Sequence, residues 1–202
     1  MLSTSSSRPN LSDIQQGTTL LEVLVTIVIL TIGLLGLAGL QAQTLIAELE
    51  SFQRAQAVLL MNEMIERISA NRPEAASYVT SQPLGTGSVA TTACSTPPTT
   101  QVGIDQCDWG NALLGASETK TGGGVVNKVG GVVNGVGCVE LVTAQNNALG
   151  VCTPGVYRVT VAWQGANLTS IPSVTCGTGL YGNERYRRAI SSQVSIGWPS
   201  CQ

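Results

Sequence analysis

Histidine is absent from this chain of 202 residues. Its absence removes the commonest metal ligand and the commonest general base at neutral pH. Aromatic side chains are scarce, with one phenylalanine among them, and charged residues make up only 11% of the sequence. Ten Lys and Arg against twelve Asp and Glu leave a net charge of −2. There is no basic run for nucleic acid or for an anionic membrane surface. None of the six cysteines stands in a Cys-x-x-Cys pair, so a zinc or thioredoxin-type site lacks its usual spacing. Lys128 lies in a glycine-rich stretch, but Asn127 precedes it and Val129 follows, which is not the pattern of a phosphate loop. No enzyme site, metal centre or cofactor cradle is visible in these residues.

What the chain does have is a long apolar run. Residues 20–40 carry a single charge, Glu22. As a helix rising about 1.5 Å per residue, the run is about as long as the hydrocarbon core of a bilayer is thick. A carboxylate left deep and unpaired in such a segment costs about 3 kcal/mol, so Glu22 needs an explanation. Counting back five residues gives Gly17, and a cut after Gly17 would place a new amino group on Thr18. That amine and the Glu22 carboxylate of a packed neighbour can neutralise each other where the dielectric is low.

The polar leader of residues 1–17, its final Gly17, Glu22 and the apolar helix together resemble the class III signal of type IV pilins and pseudopilins. Leu-Leu-Glu-Val-Leu-Val at 20–25 and Ile-Gly-Leu-Leu-Gly-Leu-Ala-Gly-Leu-Gln at 32–41 are similar to the PilV group of minor pilins. Thr18 stands where the family most often has phenylalanine. The resemblance implies cleavage between Gly17 and Thr18 by prepilin peptidase, N-methylation of Thr18, and an assembly role for Glu22. It implies a single pass of the bacterial inner membrane and then a pilus at the cell surface, with other minor pilins and the major pilin as partners. The function implied is to prime or support pilus assembly and, through the pilus, adhesion or twitching motility.

Other readings compete. A secretory signal peptide would show a basic start and a small-x-small site after its core, and Gly36-Leu37-Ala38 is a faint match. An ordinary anchor would show excess Lys and Arg on one side, yet Arg8 before the span is balanced by Arg54 after it. A minor pseudopilin of type II secretion shares the same signal. A membrane-anchored periplasmic binding protein is a third class, one that tolerates loss of Glu22.

The expected architecture is α+β and type IV pilin-like: a long N-terminal helix on a small antiparallel sheet with disulfide-tied loops. Residues 1–17 form the leader, 18–72 the helix with 20–40 in the membrane, and 73–202 a globular domain. No proline occurs between Pro9 and Pro73, so the helix is expected to run from 18 to about 70 and to stop at Asn71-Arg72-Pro73. Leu45, Leu49, Phe52 and Leu59 share one face, expected to meet neighbouring subunits. Leu60, Met61, Met64, Ile65 and Ile68 lie roughly a third of a turn away, expected to meet the chain's own domain. Gly33, Gly36 and Gly39 permit either a bend or close packing of helices.

The cysteines at 94, 107, 138, 152, 176 and 201 all follow the apolar run. An even number there points to disulfides in the periplasm or at the cell surface. Six cysteines allow many pairings, and favouring neighbours gives Cys94–Cys107, Cys138–Cys152 and Cys176–Cys201. Residues 81–101, rich in Pro, Gly and Thr, are expected as loop, and 108–116, with Trp109, Leu113 and Leu114, as a short helix with Trp109 in the core. Gly-Gly-Val-Val-Asn-Lys-Val at 123–129 repeats as Gly-Gly-Val-Val-Asn-Gly-Val at 130–136, a glycine-rich loop or weak hairpin. Alternation predicts strands over 137–143, 157–164 and 190–196 in a sheet with one wet face. Asn167-Leu168-Thr169 matches a glycosylation sequon by chance in such a protein.

Overall fold

The computed structural model describes residues 19–87, 94, 98–116, 118–122, 125–128, 130–146, 148 and 152–197. The chain divides into two compact units, at Leu45 and Ile46, and helix α1 (Leu20–Ala70) contributes to both. With no proline inside it, α1 runs unbroken until Asn71, where Pro73 opens a 3-10 segment over Arg72–Tyr78. Further on come β1 (Leu84–Gly85), α2 (Gln101–Leu113), β2 (Thr119–Gly122), β3 (Val125–Lys128), β4 (Val136–Thr143), β5 (Gly155–Gln164) and β6 (Arg187–Ile196). Four strands form an antiparallel sheet in the order β1-β4-β5-β6, and β2 with β3 makes a separate hairpin.

Two elements differ from expectation. The short helix starts at Gln101, seven residues earlier than 108, because the Thr100 hydroxyl caps it by accepting from the Gly103 amide at 3.2 Å. The expected loop over 81–101 contains β1, whose Leu84 and Gly85 pair with Gly137 and Val136. The internal repeat also resolves unequally. Its first copy supplies β3, whereas the second buries Val132, turns at Asn134 with φ of 51° and enters β4 at Val136.

From Ile46 onward, α1 is one-sided. Leu59 is 63% exposed and its neighbour Leu60 only 8%. Ala57, Leu60, Met61, Met64 and Ile68 are buried with Trp109 and Leu113 of α2 and with Val139, Tyr157, Val159, Val161 and Trp163 of the sheet. The stripe assigned to the chain's own domain is therefore core, and Leu49, Phe52 and Leu59 are exposed. Trp109 ties three elements together. Its indole N–H donates to the Leu60 carbonyl of α1 at 2.7 Å, and its ring lies over Gly137 of β4. A Cβ at Gly137 would stand 2.2 Å from the Trp109 Cη2, so the strand can pass there only without a side chain.

A buried carboxylate makes the next clamp. Asp105, 5% exposed, accepts from Arg67 Nη1 at 2.9 Å, from Gln101 Nε2 at 2.9 Å and from the Tyr78 hydroxyl. Arg67 is also held by Glu63 at 2.7 Å. Burial by itself raises the Asp105 pKa, but the three donors and the Arg67 charge outweigh it and hold the carboxyl below its ordinary value. Burial, and then the bond to Asp105, push the Tyr78 hydroxyl up to about 12.

The outer face of the sheet is not wet throughout. Thr160 and Ala162 of β5 are fully buried, because the β5–β6 connection folds back over them. Val136, Cys138, Ala162, Cys176 and Tyr181 form a second small core there. Cys138 stands opposite Thr160 in the β4–β5 register, and it is bonded to Cys176 with a Cα–Cα distance of 5.9 Å. This corrects two expected pairings, Cys138–Cys152 and Cys176–Cys201. Nearness in sequence failed because the returning connection brings position 176, not 152, over this face. Cys94 is bonded to Cys107, Cα–Cα 5.4 Å. Cys152 is also disulfide-bonded, and Cys201 lies outside the described residues.

Two arginines at the start of β6 anchor that connection. Arg187, 2% exposed, donates to the carbonyls of Val174, Cys176 and Pro172 at 2.6, 3.2 and 3.3 Å and to Glu184 at 2.6 Å. Arg188 reaches the other way, to Glu50 of α1 at 3.0 Å. Glu50 accepts in addition from the Ala166 and Asn167 amides at 3.1 and 3.4 Å.

Gly137→Ala is expected to destabilise the domain by about 1–3 kcal/mol, the usual cost of overpacking a filled core. Urea unfolding of the detergent-solubilised chain, followed by tryptophan fluorescence, measures it; an unchanged midpoint would show that the Trp109 contact is not tight. The Asp105 network predicts acid lability with a definite sign. Because its folded pKa is depressed, the unfolded chain takes up the proton first as pH falls. The stability contributed is present above the ordinary value near ~3.9 and is lost as pH drops through the folded pKa. Asp105→Asn is expected to be less stable at neutral pH by about 1–3 kcal/mol and to have a flatter profile between about pH 5 and pH 2. Parallel profiles for the two proteins would rule this out.

Candidate assembly surface

The first half of α1 buries nothing. Every described residue from Thr19 to Leu49 is exposed, including Leu20 at 85% and Leu35 at 79%. Its most apolar 18-residue window has a mean hydropathy of 2.7, so the helix is long and apolar enough to cross a membrane. The few hydroxyls are turned inward on the backbone. Thr26 donates to the Val23 carbonyl and Thr31 to the Val28 carbonyl, each at 2.8 Å, and Thr44 donates to Gln41 at 2.9 Å. Such bonds satisfy a threonine without a partner helix and make it compatible with lipid.

Glu22 lies in the first turn of α1. Its amide donates to the Thr19 carbonyl at 2.9 Å and lies 3.4 Å from the Thr19 hydroxyl. Its carboxylate is exposed and, among the described residues, bonded to none. A negative charge is favoured there by the exposed amides at the helix start. In water the site is comfortable, whereas in lipid its charged form is costly without a partner. Gly17 and Thr18, the expected cleavage and processing residues, lie outside the described residues.

The helix is continuous through Gly33, Gly36 and Gly39, and, apart from the adjoining backbone of the helix itself, no atom of the described residues lies within 4 Å of a Cβ built on any of them. They thus form open ground that another helix can approach closely. Farther on, Leu45, Leu49, Phe52 and Leu59 keep an apolar stripe exposed at 53–63%.

Sequence reasoning assigned no contact to Glu50, Arg188 or Asp105. Glu50 had one local signal, since it stands seven residues before the buried Ala57 and so interrupts an apolar face with a charge. Its partner is 138 residues away in the chain, and no spacing rule reaches that far. Among the described residues no group of three or more His, Cys, Asp or Glu side chains is placed to hold a metal ion. What the surface offers is adhesion by apolar contact, with one free carboxylate at its start.

No curated protein and no solved structure matches the chain. Residues 39–109, about a third of the chain, match the family model described as Tt1218-like, type IV pilin Tt1218. The matched stretch runs from the apolar part of α1 through the 3-10 segment and β1 to Trp109. That description does not separate the PilV group from other type IV pilins. The stretch carrying the Leu60–Trp109 and Arg67–Asp105 contacts is thus similar to a type IV pilin, which supports a pilin role for the chain.

Proposed function

We propose that this chain is a minor pilin of the PilV kind in a bacterial type IV pilus. In this reading prepilin peptidase removes residues 1–17, and Thr18 becomes the methylated N-terminus. Residues 20–40 hold the protein in the inner membrane with residues 73–202 in the periplasm. The helix then joins the filament beside other minor pilins and the major pilin, priming or supporting assembly and, through the pilus, adhesion or twitching. The role is structural rather than catalytic.

The observation that supports it best is the division of α1 by burial. Residues 57–68 bury their apolar stripe in the chain's own domain, whereas residues 20–49 leave every apolar side chain exposed. Exposed apolar area is worth about 25 cal/mol per Å² when covered, so a segment of this length is stable only in lipid or against other helices. An anchor alone needs the lipid but not the carboxylate. Glu22 in the first turn suits a helix that meets another chain's new amine as it leaves the bilayer, where the pair replaces solvation by water.

Cells containing prepilin peptidase are expected to yield a mature chain beginning at Thr18, with the mass of a methyl group added, by intact mass spectrometry. Recovery of the full-length chain alone, or of a product cut after Ala38, would end the prepilin reading. Glu22→Ala is expected to be cleaved normally yet to fall at least about tenfold in sheared pili, the effect of a lost pair contributing about 1.4 kcal/mol. Normal incorporation of this variant would count against the pairing role of Glu22.

A further inference from the structure

Glu50 and Arg54 lie about one turn apart on α1, and Trp163 and Arg188 stand opposite each other in the β5–β6 register. These two pairs, with Ser51, line a surface cleft of about 280 Å³. All five residues belong to the compact unit that begins at Ile46. Two guanidinium groups against one carboxylate leave the lining with a net charge of +1.

These charges are unequally committed. Glu50 accepts from Arg188 Nη2 at 3.0 Å and from the Ala166 and Asn167 amides. Both terminal nitrogens of Arg188 are occupied further, Nη2 by the Asn167 carbonyl at 2.7 Å and Nη1 by the Thr169 hydroxyl at 2.7 Å and the Arg185 carbonyl at 3.2 Å. Arg54 is left over. A glutamate four residues before an arginine is its ordinary partner on a helix, yet Glu50 is bonded to Arg188 instead. Arg54 is exposed and has no ion pair or hydrogen bond among the described residues. Trp163, only 4% exposed, also lacks an acceptor for its indole N–H among the described residues, whereas Trp109 gives its own to Leu60. A buried donor without an acceptor is uncommon in a folded chain and calls for an explanation.

We infer that this cleft receives an acidic side chain of a neighbouring subunit, whose carboxylate pairs with Arg54. The inference rests on the pilin reading of the chain. Charge complementarity selects the ligand: a guanidinium presents paired N–H donors that match the two oxygens of a carboxylate, and Ser51 brings a further donor to the same cleft. Size favours a side chain over a free solute, because small-molecule sites usually exceed about 300 Å³. The contact adds a charge match on the domain to the one proposed at Glu22. Apolar burial is indifferent to its partner, whereas an ion pair at Arg54 favours neighbours that carry an acid at the matching position.

The test uses the full-length chain in piliated cells. Arg54→Gln is expected to fall about two- to fivefold in sheared pili relative to the membrane pool, the range of a partly exposed ion pair, and Arg54→Glu to fall further. Arg72→Glu, on an exposed arginine whose side chain bonds only the Ser69 carbonyl, is the control and is expected to be incorporated normally. A second measurement identifies the partner. Pili carrying Arg54→Lys are treated with a carbodiimide, which joins an amine to a touching carboxylate as an amide with loss of water, and the products are mapped by mass spectrometry. The expected product joins position 54 to an Asp or Glu of another subunit, with Arg72→Lys giving none. A link from position 54 to Glu50 of the same chain, or none at all, together with normal incorporation of Arg54→Gln and Arg54→Glu, would overturn the inference and leave the pilin reading standing. Absence of the unaltered chain from sheared pili would overturn both. Acetate that shifts the tryptophan fluorescence of the detergent-solubilised chain but not of Arg54→Gln, with Arg54→Gln normally incorporated, would make this a solute site and likewise overturn the inference.

Discussion

One helix has to satisfy two different surroundings, and most of the structure follows from that constraint. From Leu20 to Leu49 α1 is exposed on every side, and from Ala57 to Ile68 it is buried along one stripe. A helix that is apolar all round has no stable place in water. Among the described residues nothing covers its first half, whose threonine hydroxyls are bonded to the helix's own backbone. The domain's task is then limited. It must hold the second half firmly enough that the first half can be delivered elsewhere.

The hold comes from three fasteners of different chemistry. Glu50 is gripped by Arg188 and two backbone amides, Leu60 by the Trp109 indole, and Arg67 by Asp105. Apolar contacts alone would let the stripe slide along the sheet, since Leu, Met and Ile repack with little loss. Directional bonds at fixed positions do not permit that. Each fastener also recruits a different part of the chain: the β5–β6 connection, α2 with Gly137, and the 3-10 segment through Tyr78. Helix position and domain fold are therefore specified by the same contacts.

The parts of this arrangement governed by local rules were legible in the sequence. The absence of proline to Pro73 gave the run of α1, the spacing of Leu60, Met61, Met64 and Ile68 gave its buried face, and alternation gave β4, β5 and β6 to within three residues at each end. The rest depends on what the chain does at a distance. Thr100 lies among prolines and threonines that look like loop, so its role as a cap is invisible until Gln101 turns. Thr160 and Ala162 look like a wet face because small and hydroxylated residues are common on one, and only the returning connection makes them core. Cys176 reaches Cys138 by that same return. In the candidate assembly surface the exposed stripe was readable, whereas the contacts of Glu50, Arg188 and Asp105 were not. A charge at the end of a long-range contact has the same composition as a charge in solvent.

That distinction bears on how such a helix finds its register in an assembly. Residues 23–47 present uncharged, mostly aliphatic side chains on all sides. Two such surfaces can slide past one another by a turn and lose little, because dispersion and apolar burial are indifferent to identity. Specificity has to be supplied at the ends of the run. At the far end the charges are partly spent, Glu50 being bound to Arg188 and the Ala166 and Asn167 amides within the chain. At the near end Glu22 remains uncommitted among the described residues. The cost of an unmatched carboxylate in low dielectric is steep and local, whereas apolar contact is shallow and extended. In the proposed assembly, a helix built this way would adhere along its whole length and settle where that one charge is answered.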